Sequence, residues 1–430
     1  MTTCECCAPR PAGPSRRAAD HETWPGVARV PRAPVAGFVA GLLMRRAVAR
    51  TPIRVTLADG RQIGAGGSEA PEMALHRPSD LFARLGSDLM IGFGESYMAG
   101  EWTAGETTDL ADLLTPFAAR LTQVVPRPLQ SLRRLVAASL PANEANTIKG
   151  ARNNISRHYD LSNELFASFL DPTMSYSAAW FAEHSEQSAA ALEAAQLRKI
   201  DGILDYARVS DGTQLLEIGT GWGALAIRAA ERGAQVTSIT ISAEQRDLAR
   251  ERIAAAGLSD RIEVRLQDYR EVQGSYDAIV SVEMIEAVGE DFWPVFFAKL
   301  DEALAPGGRI GLQAITIGHD RMLATRGTYG WIHKYIFPGG MIPSLQAIDD
   351  QLAGETRLQV AEQRALGQDY AATLRIWRTR FLDNWEQTRQ HGFDETFRRM
   401  WEFYLAYCEA GFRAGYLNVQ QLSLAERSER

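Results

Sequence analysis

The sequence predicts an α/β fold in which a mostly parallel sheet carries helices on both faces, preceded by a smaller N-terminal α+β unit. Three observations predict it. From about residue 200, short apolar segments alternate with helical patterns, which calls for parallel strands joined by crossover helices. The first of those segments runs directly into a glycine-rich turn that opens a helix. Before residue 150 the pattern differs: an alternating strand, a hairpin signal and separate helices.

In chain order, residues 1–34 contain six Pro and little periodicity, and read as a disordered arm. Residues 35–50 read as a short helix, apolar first and arginine-rich at its end. Ile53–Leu57 alternates like a strand, Asp59-Gly60 is a hairpin signal, and a second strand lies near Gln62. Two helical stretches run from Ser79 to Ala99, completing a domain over 35–120. Residues 121–150, with Pro126, Pro128, Pro141 and the basic Arg127, Arg133 and Arg134, read as a helical linker. The main domain is then 151–430. Its strands are Gln214–Ile218, Gln235–Thr240, Ile262–Leu266, Ala278–Val282 and Arg309–Ile315. Ser242 is the expected N-cap of the helix that runs to Ala256. Residues 370–414 look helical with closely spaced aromatics, and Val419–Leu424 reads as a closing strand.

Composition bounds the function. The chain has 430 residues, 46% hydrophobic and 23% charged, with a net charge of −7. Those values exclude a disordered chain, a collagen-like chain and a strongly basic nucleic-acid binder. Only four Lys occur, at 149, 199, 299 and 334, against 42 Arg. Genome composition explains that bias most simply; a guanidinium fork also suits phosphate. Cys4, Cys6, Cys7 and Cys408 make no disulfide framework, and no metal site is expected. The longest apolar run, Val35–Met44, falls short of the roughly 18 residues of a membrane span and ends at Arg45-Arg46. The leader lacks a signal peptide's apolar core, so the expected location is cytoplasmic, peripheral at the inner face of the membrane.

The glycine turn narrows the cofactor. The strand ends in Glu217-Ile-Gly219-Thr-Gly221-Trp-Gly223. Glycines at such a turn let backbone approach a ligand, and the helix start offers free N–H groups; a tight packing turn is the alternative. A dinucleotide site would show an acid at the tip of the second strand, but this strand ends Thr240-Ile241-Ser242 and the next acid is Glu244. The E-x-G-x-G-x-G pattern and the later Gln267-Asp268-Tyr269 look more like S-adenosylmethionine-dependent methyltransferases.

Three further segments are more specific. They are Arg157-His158-Tyr159-Asp160-Leu161-Ser162-Asn163 with Leu170–Ser177; Ser281–Gly289, containing Glu283 and Glu286; and Trp331–Gly340. Together they resemble the cyclopropane-fatty-acid-phospholipid synthase family over roughly residues 145–425. The N-terminal unit looks, more loosely, like the lipid-contacting domain of its long members. The resemblance implies a Rossmann-like methyltransferase domain that moves a methyl group from S-adenosyl-L-methionine to a cis double bond of an acyl chain. It places Tyr176, Ser177, Gly219, Gly221, Thr240, Ile241, Gln245 and Tyr269 along the cofactor, with Glu217, Gly223 and Asp268 beside them. It places Tyr159, Glu286 and Tyr370 at the reacting carbons.

These residue types suit that chemistry. Attack by an alkene leaves a carbocation on the chain, and aromatic faces stabilise a cation without capturing it. Tyr159, Trp180, Trp331, Tyr335, Phe337 and Tyr370 are candidates for the lining, with plain core packing as the alternative for each. A proton must then leave to a base. In the family's ring-forming members that base is a bicarbonate held by a Cys, a Glu, a His, a Tyr and a backbone group. Here the Cys position is Ala178 and the His position Gln313. Glu283 stands where a small residue is usual, and Ala287 where a His is usual. A second carboxylate disfavours an anion beside it, which puts the bicarbonate site in question. Glu283 or Glu286 becomes the expected base, and a methylene-branched product the leading expectation, with cyclopropanation as the alternative. A separate reductase would saturate the methylene. Other classes weighed are a small-molecule methyltransferase and a non-catalytic lipid carrier. The expected partner is unsaturated phospholipid reached through helix 36–50, with nucleic acid excluded and a homodimer left open.

Overall fold

A computed structural model describes residues 19–124, 162–183 and 185–427. Tyr159, the Cys4–Cys7 cluster and the basic Arg127, Arg133 and Arg134 lie outside the described residues, as does most of the expected linker. The chain divides into two compact units. One takes the residues up to Pro116 together with Asp394–Phe403; the other takes Phe117–Phe393 and Tyr404 onward.

The first unit is built on a four-stranded sheet in the order β2-β1-β3-β4. Its strands are β1 (Arg54–Leu57), β2 (Gln62–Ile63), β3 (Glu72–Leu75) and β4 (Trp102–Ala104). The expected hairpin joins β1 to β2: Gly60 sits at φ +85°, and Asp59 Oδ1 accepts the Arg61 N–H at 3.0 Å. Strands β3 and β4 were not anticipated; they are short and lack a turn dipeptide between them. The two expected helices are Pro78–Ser87 and Leu89–Met98.

The arm expected to be disordered through residue 34 is structured from residue 19 onward. A short helix, Pro25–Ala28, buries Val27. The reason is Arg84, a buried guanidinium that donates to the carbonyls of Gly26 at 2.7 Å and Val27 at 2.6 Å, and to Glu101 at 2.8 Å. Composition hid this anchor because Arg84 lies nearly sixty residues away.

The helix Pro34–Val48 packs with its small face inward. A Cβ on Gly37 would meet the Phe82 carbonyl at 3.2 Å, and one on Gly41 the Phe82 ring at 3.0 Å. Close approach through glycine leaves the large side chains outward: Val35, Phe38, Val39, Leu42 and Leu43 are all exposed, Phe38 at 75%. Among the described residues no helix is long and apolar enough to cross a membrane.

The second unit holds a seven-stranded sheet in the order β10-β11-β9-β8-β5-β6-β7. Four neighbouring pairs are parallel, from β9 (Leu304–Ile317) through β8 (Tyr276–Val282), β5 (Gln214–Ile218) and β6 (Gln235–Thr240) to β7 (Ile262–Leu266). The expected closing strand is β11 (Leu417–Glu426), antiparallel to β9. The unexpected β10 (Leu358–Ala365) is a largely exposed edge strand whose Glu362, Gln363 and Arg364 read as loop. Side chains alternate between two cores, as period 2 requires. Leu215, Val236, Ala278 and Val280 face helices Leu192–Tyr206 and Ala224–Glu231. Leu216, Ile239, Ile279 and Leu312 face Trp293–Ala303 on the other side. The strand order reverses at β5, which has β6 on one side and β8 on the other, so a crevice opens past the carboxyl ends of these strands.

Candidate active site

The glycine turn lies at that switch point. Gly219, Gly221 and Gly223 have φ of +101°, +52° and +88°, a region where side chains are strained. The Gly219 and Thr220 N–H groups both donate to the Ile239 carbonyl, tying the turn to β6. A Cβ added to Gly221 would meet nothing within 4 Å, so backbone there is open to a ligand. Beneath the turn, Glu217 accepts the Ser238 hydroxyl, and Ser238 also bonds Thr220. Burial pushes the Glu217 carboxyl up to about 8, opposed by the Ser238 bond and the charge of Lys199.

The other expected cofactor residues cluster at the same strand ends. Thr240 closes β6 and donates to Gln245 Oε1 at 2.9 Å; Gln245 lies in the first turn of the helix Ala243–Ala255, capped by Ser242 as expected. Ile241 links the two. Tyr269 is buried with Arg270 over its ring. Both oxygens of Asp268 are engaged by the Arg270 guanidinium, at 2.8 and 2.7 Å.

A second cluster forms around Glu283, just past β8. Glu283 has φ +48°, left-handed backbone that costs a non-glycine residue about 1–3 kcal/mol and gathers at functional sites. Its Oε1 accepts the Ala178 N–H at 2.9 Å and the Gln313 amide at 2.7 Å, and the Tyr370 hydroxyl lies near enough to favour its charged form. Burial pushes its carboxyl up, opposed by Ala178, Gln313, Lys199 and Tyr370. Glu286 Oε1 accepts the Ile315 N–H, while its Oε2 is buried without a partner. Burial and then the neighbouring Glu283 push Glu286 up to about 8. Tyr370 is pushed well above its ordinary value by burial and by Glu283, so its hydroxyl stays protonated.

The structure therefore gathers Ala178, Gln313 and Tyr370 around Glu283, with Glu286 close enough to feel its charge. Tyr176 stands alongside, stacked on Trp377 at 5.4 Å and bonded through its hydroxyl to Tyr404 at 2.7 Å. Tyr370 packs on Phe412 at 4.7 Å, and Phe337 on Tyr404 at 5.8 Å. Trp180 belongs elsewhere: Arg364 covers its ring at 3.9 Å. Trp331 and Tyr335 pair with each other, and His333 holds the Gly340 carbonyl; the following Met341 N–H reaches the Glu286 carbonyl.

Sequence reasoning missed Lys199, Gln196, Tyr404 and Gln421. Lys199 is only 2% exposed, and its Nζ donates to the Ser177 hydroxyl at 2.6 Å. Gln196, one turn earlier, donates to the Ser177 carbonyl at 2.9 Å. Burial lowers Lys199 to about 8, opposed by Glu283, Asp171 and Glu217. A signal existed: Gln196 and Lys199 interrupt the apolar stripe Leu192, Ala195, Ile200, Ile203 of their helix.

The donor set suits S-adenosylmethionine. The open Gly221 admits it, and Asp171 Oδ1, Gln196 Oε1 and Ser281 Oγ are buried polar atoms without partners. A parallel sheet reversing at a glycine turn, with carboxylates and tyrosines gathered past its strand ends, defines an S-adenosylmethionine-dependent methyltransferase. The chain belongs to the mycolic acid cyclopropane synthetase family, whose model matches residues 146–422. It is 51% identical, over 95% of its length and 96% of the relative's, to the tuberculostearic acid methyltransferase of Mycobacterium tuberculosis. It is 34% identical to the cyclopropane-fatty-acyl-phospholipid synthase of Escherichia coli, over 84% of this chain and 89% of that one. Among solved structures it resembles a mycolic acid cyclopropane synthase from Mycobacterium tuberculosis, MmaA2, with TM-score 0.58 and 30% identity, covering 64% of this chain and 98% of that one. The mycolic acid cyclopropane synthase CmaA1, solved with S-adenosylhomocysteine, matches at the same TM-score over 64% of this chain and 97% of that one.

Proposed function

We propose that the protein transfers a methyl group from S-adenosylmethionine to the cis double bond of an unsaturated, oleoyl-like phospholipid chain and leaves a methylene branch. The observation that carries the reading is the environment of Glu283. Its carboxylate takes donors from Ala178 and Gln313 and faces Tyr370, positions that the family resemblance assigns around a bicarbonate. A carboxylate of the chain itself thus fills the role of the bound anion. The 51% identity to a tuberculostearic acid methyltransferase supports the same product.

S-adenosylmethionine supplies an electrophilic methyl group. Tyr176, Ser177, the glycine turn, Thr240, Ile241, Gln245 and Tyr269 would hold it. Lys199 and Gln196 fix the Ser177 end of that cradle. Methyl addition to one alkene carbon leaves a cation on its neighbour. Tyr176, Tyr370 and Tyr404 present aromatic faces to such a charge, the last two held neutral by burial. A hydride from the methylated carbon moves to the neighbour, and the cation moves the other way. Glu283 then takes a proton from the added methyl group, and its C–H electrons form the exocyclic double bond. The lipid gains one carbon and two hydrogens. Proton removal before the hydride shift would close a cyclopropane instead, the outcome named for the Escherichia coli relative. NMR of lipids from expressing cells separates the two. Vinylidene protons far downfield are expected; upfield cyclopropane signals alone would refute the methylene reading. The methylene product would be the substrate of a separate reductase.

The lipid must come from a bilayer. The exposed Val35, Phe38, Val39, Leu42 and Leu43 stripe, followed by the exposed Arg45, Arg46 and Arg50, matches an interfacial helix on anionic headgroups. Co-sedimentation with anionic vesicles tests this: a chain lacking residues 1–50 should lose binding, and unchanged binding would refute it.

A further inference from the structure

We infer that Gln421 and Arg364 are positioning residues: a one-way chain of side-chain hydrogen bonds, Arg364 to Gln421 and Gln421 to Gln313, fixes the donor end of Gln313 on Glu283. The inference rests on Glu283 being the base. A primary amide can offer a neighbour either its NH2 or its oxygen. Toward a carboxylate the first attracts and the second repels, so the orientation of Gln313 matters to the charge state of Glu283.

The orientation is set from the far end. The Lys199 carbonyl can only accept, and an arginine can only donate. Gln421 lies between them. Its Nε2 donates to the Lys199 carbonyl at 3.0 Å, and its Oε1 accepts from Arg364 Nη1 at 3.2 Å. The second hydrogen of the same Nε2 goes to Gln313 Oε1 at 3.0 Å. Gln313 therefore turns its oxygen to Gln421 and its NH2 to Glu283, at 2.7 Å. Reversing either amide would oppose two acceptors or two donors. Both glutamines are fully buried, which removes water as a substitute partner. They are directly paired across β9 and β11, so the strand register sets the chain.

Arg364 supplies its charge. Its guanidinium lies over the Trp180 ring at 3.9 Å and the Tyr206 ring at 4.8 Å, and no carboxylate pairs with it among the described residues. Aligned donors polarise one another in a low-dielectric interior. The other groups facing Glu283 are Lys199, Glu286 and Tyr370, with Tyr176 and Cys408 behind Tyr370. This chain works with Lys199 against burial to keep Glu283 ionised.

The test is the pH dependence of kcat on oleoyl phospholipid vesicles. Gln421→Glu has the same shape but sets a carboxylate against the Lys199 carbonyl and Gln313 Oε1. Gln313 should then flip and turn its oxygen to Glu283. The acidic limb should move up by about one pH unit, a tenfold loss of rate below it, with S-adenosylhomocysteine affinity by calorimetry unchanged. Gln421→Met and Arg364→Met, which only release the chain, should move the limb the same way by less. In a Gln313→Met background, Gln421→Glu should add a smaller shift than it gives alone, because no amide remains to flip and only its direct charge acts. A merely structural role would lower thermal stability and leave the limb in place. Limbs coincident with wild type, with Glu283→Gln inactive, would overturn this inference alone. An active Glu283→Gln would overturn the base assignment and the inference with it.

Discussion

Replacing Glu283 by Gln removes the proposed base while disturbing the fold little. The Gln oxygen can accept the Ala178 N–H and the Gln313 amide, which now lie at 2.9 and 2.7 Å from the carboxylate oxygen. The Ala178 and Gln313 donors keep their acceptor, and a desolvated charge disappears. Thermal stability should therefore hold or rise. Activity should fall, because a positioned base contributes about 10²–10⁴-fold, or roughly 3–5 kcal/mol of barrier. The assay is turnover of oleoyl phospholipid vesicles with S-adenosylmethionine, alongside calorimetry with S-adenosylhomocysteine to show an intact cradle. The expected result is a loss of at least about a hundredfold in kcat at unchanged affinity. Turnover within threefold of wild type would refute the reasoning and pass the role to Glu286 or a bound ion.

Glu286 predicts a pH dependence of stability. Its carboxyl is raised from 4.5 to about 8 by burial and by Glu283, so the stability it contributes is present below the unfolded value and lost as pH rises to about 8. Glu286→Gln keeps the acceptor for Ile315 and should melt higher than wild type at pH 9, with the gap closing toward pH 4; an equal gap at both would refute this. Lys199→Met removes a buried ammonium that opposes the rise of Glu283, so the acidic limb of kcat should move upward, and an unmoved limb would separate Lys199 from the base. Phe38→Asp with Leu42→Asp should weaken anionic vesicle binding at least tenfold in sedimentation without lowering the melting temperature, since both side chains are exposed. A fall in melting temperature would place that face in the core instead.

The parallel strands and their helices were legible because period-2 and period-3.6 patterns are local. The glycine turn was legible because only glycine takes φ near +100° without strain at a strand end. Glu283 and Gln313 stood out as departures from a family motif, and the structure places them 2.7 Å apart. Strand β10 was missed because an exposed edge strand carries little apolar signal. The ordered segment from residue 19 was missed because its anchor, Arg84, is distant in sequence.

By itself, then, the sequence determined the class of fold, the cofactor turn and the presence of two carboxylates where one is usual. Those features rest on backbone preference and residue identity, which act within a few positions. Only the tertiary structure decided that the Glu283 carboxylate takes the donors around it, that Lys199 holds Ser177, and that Gln421 orients Gln313. Hydrogen-bond direction and burial depend on what long-range strand pairing and helix packing bring into contact. Gln313 and Gln421 meet only because β9 and β11, more than a hundred residues apart in the chain, pair in register.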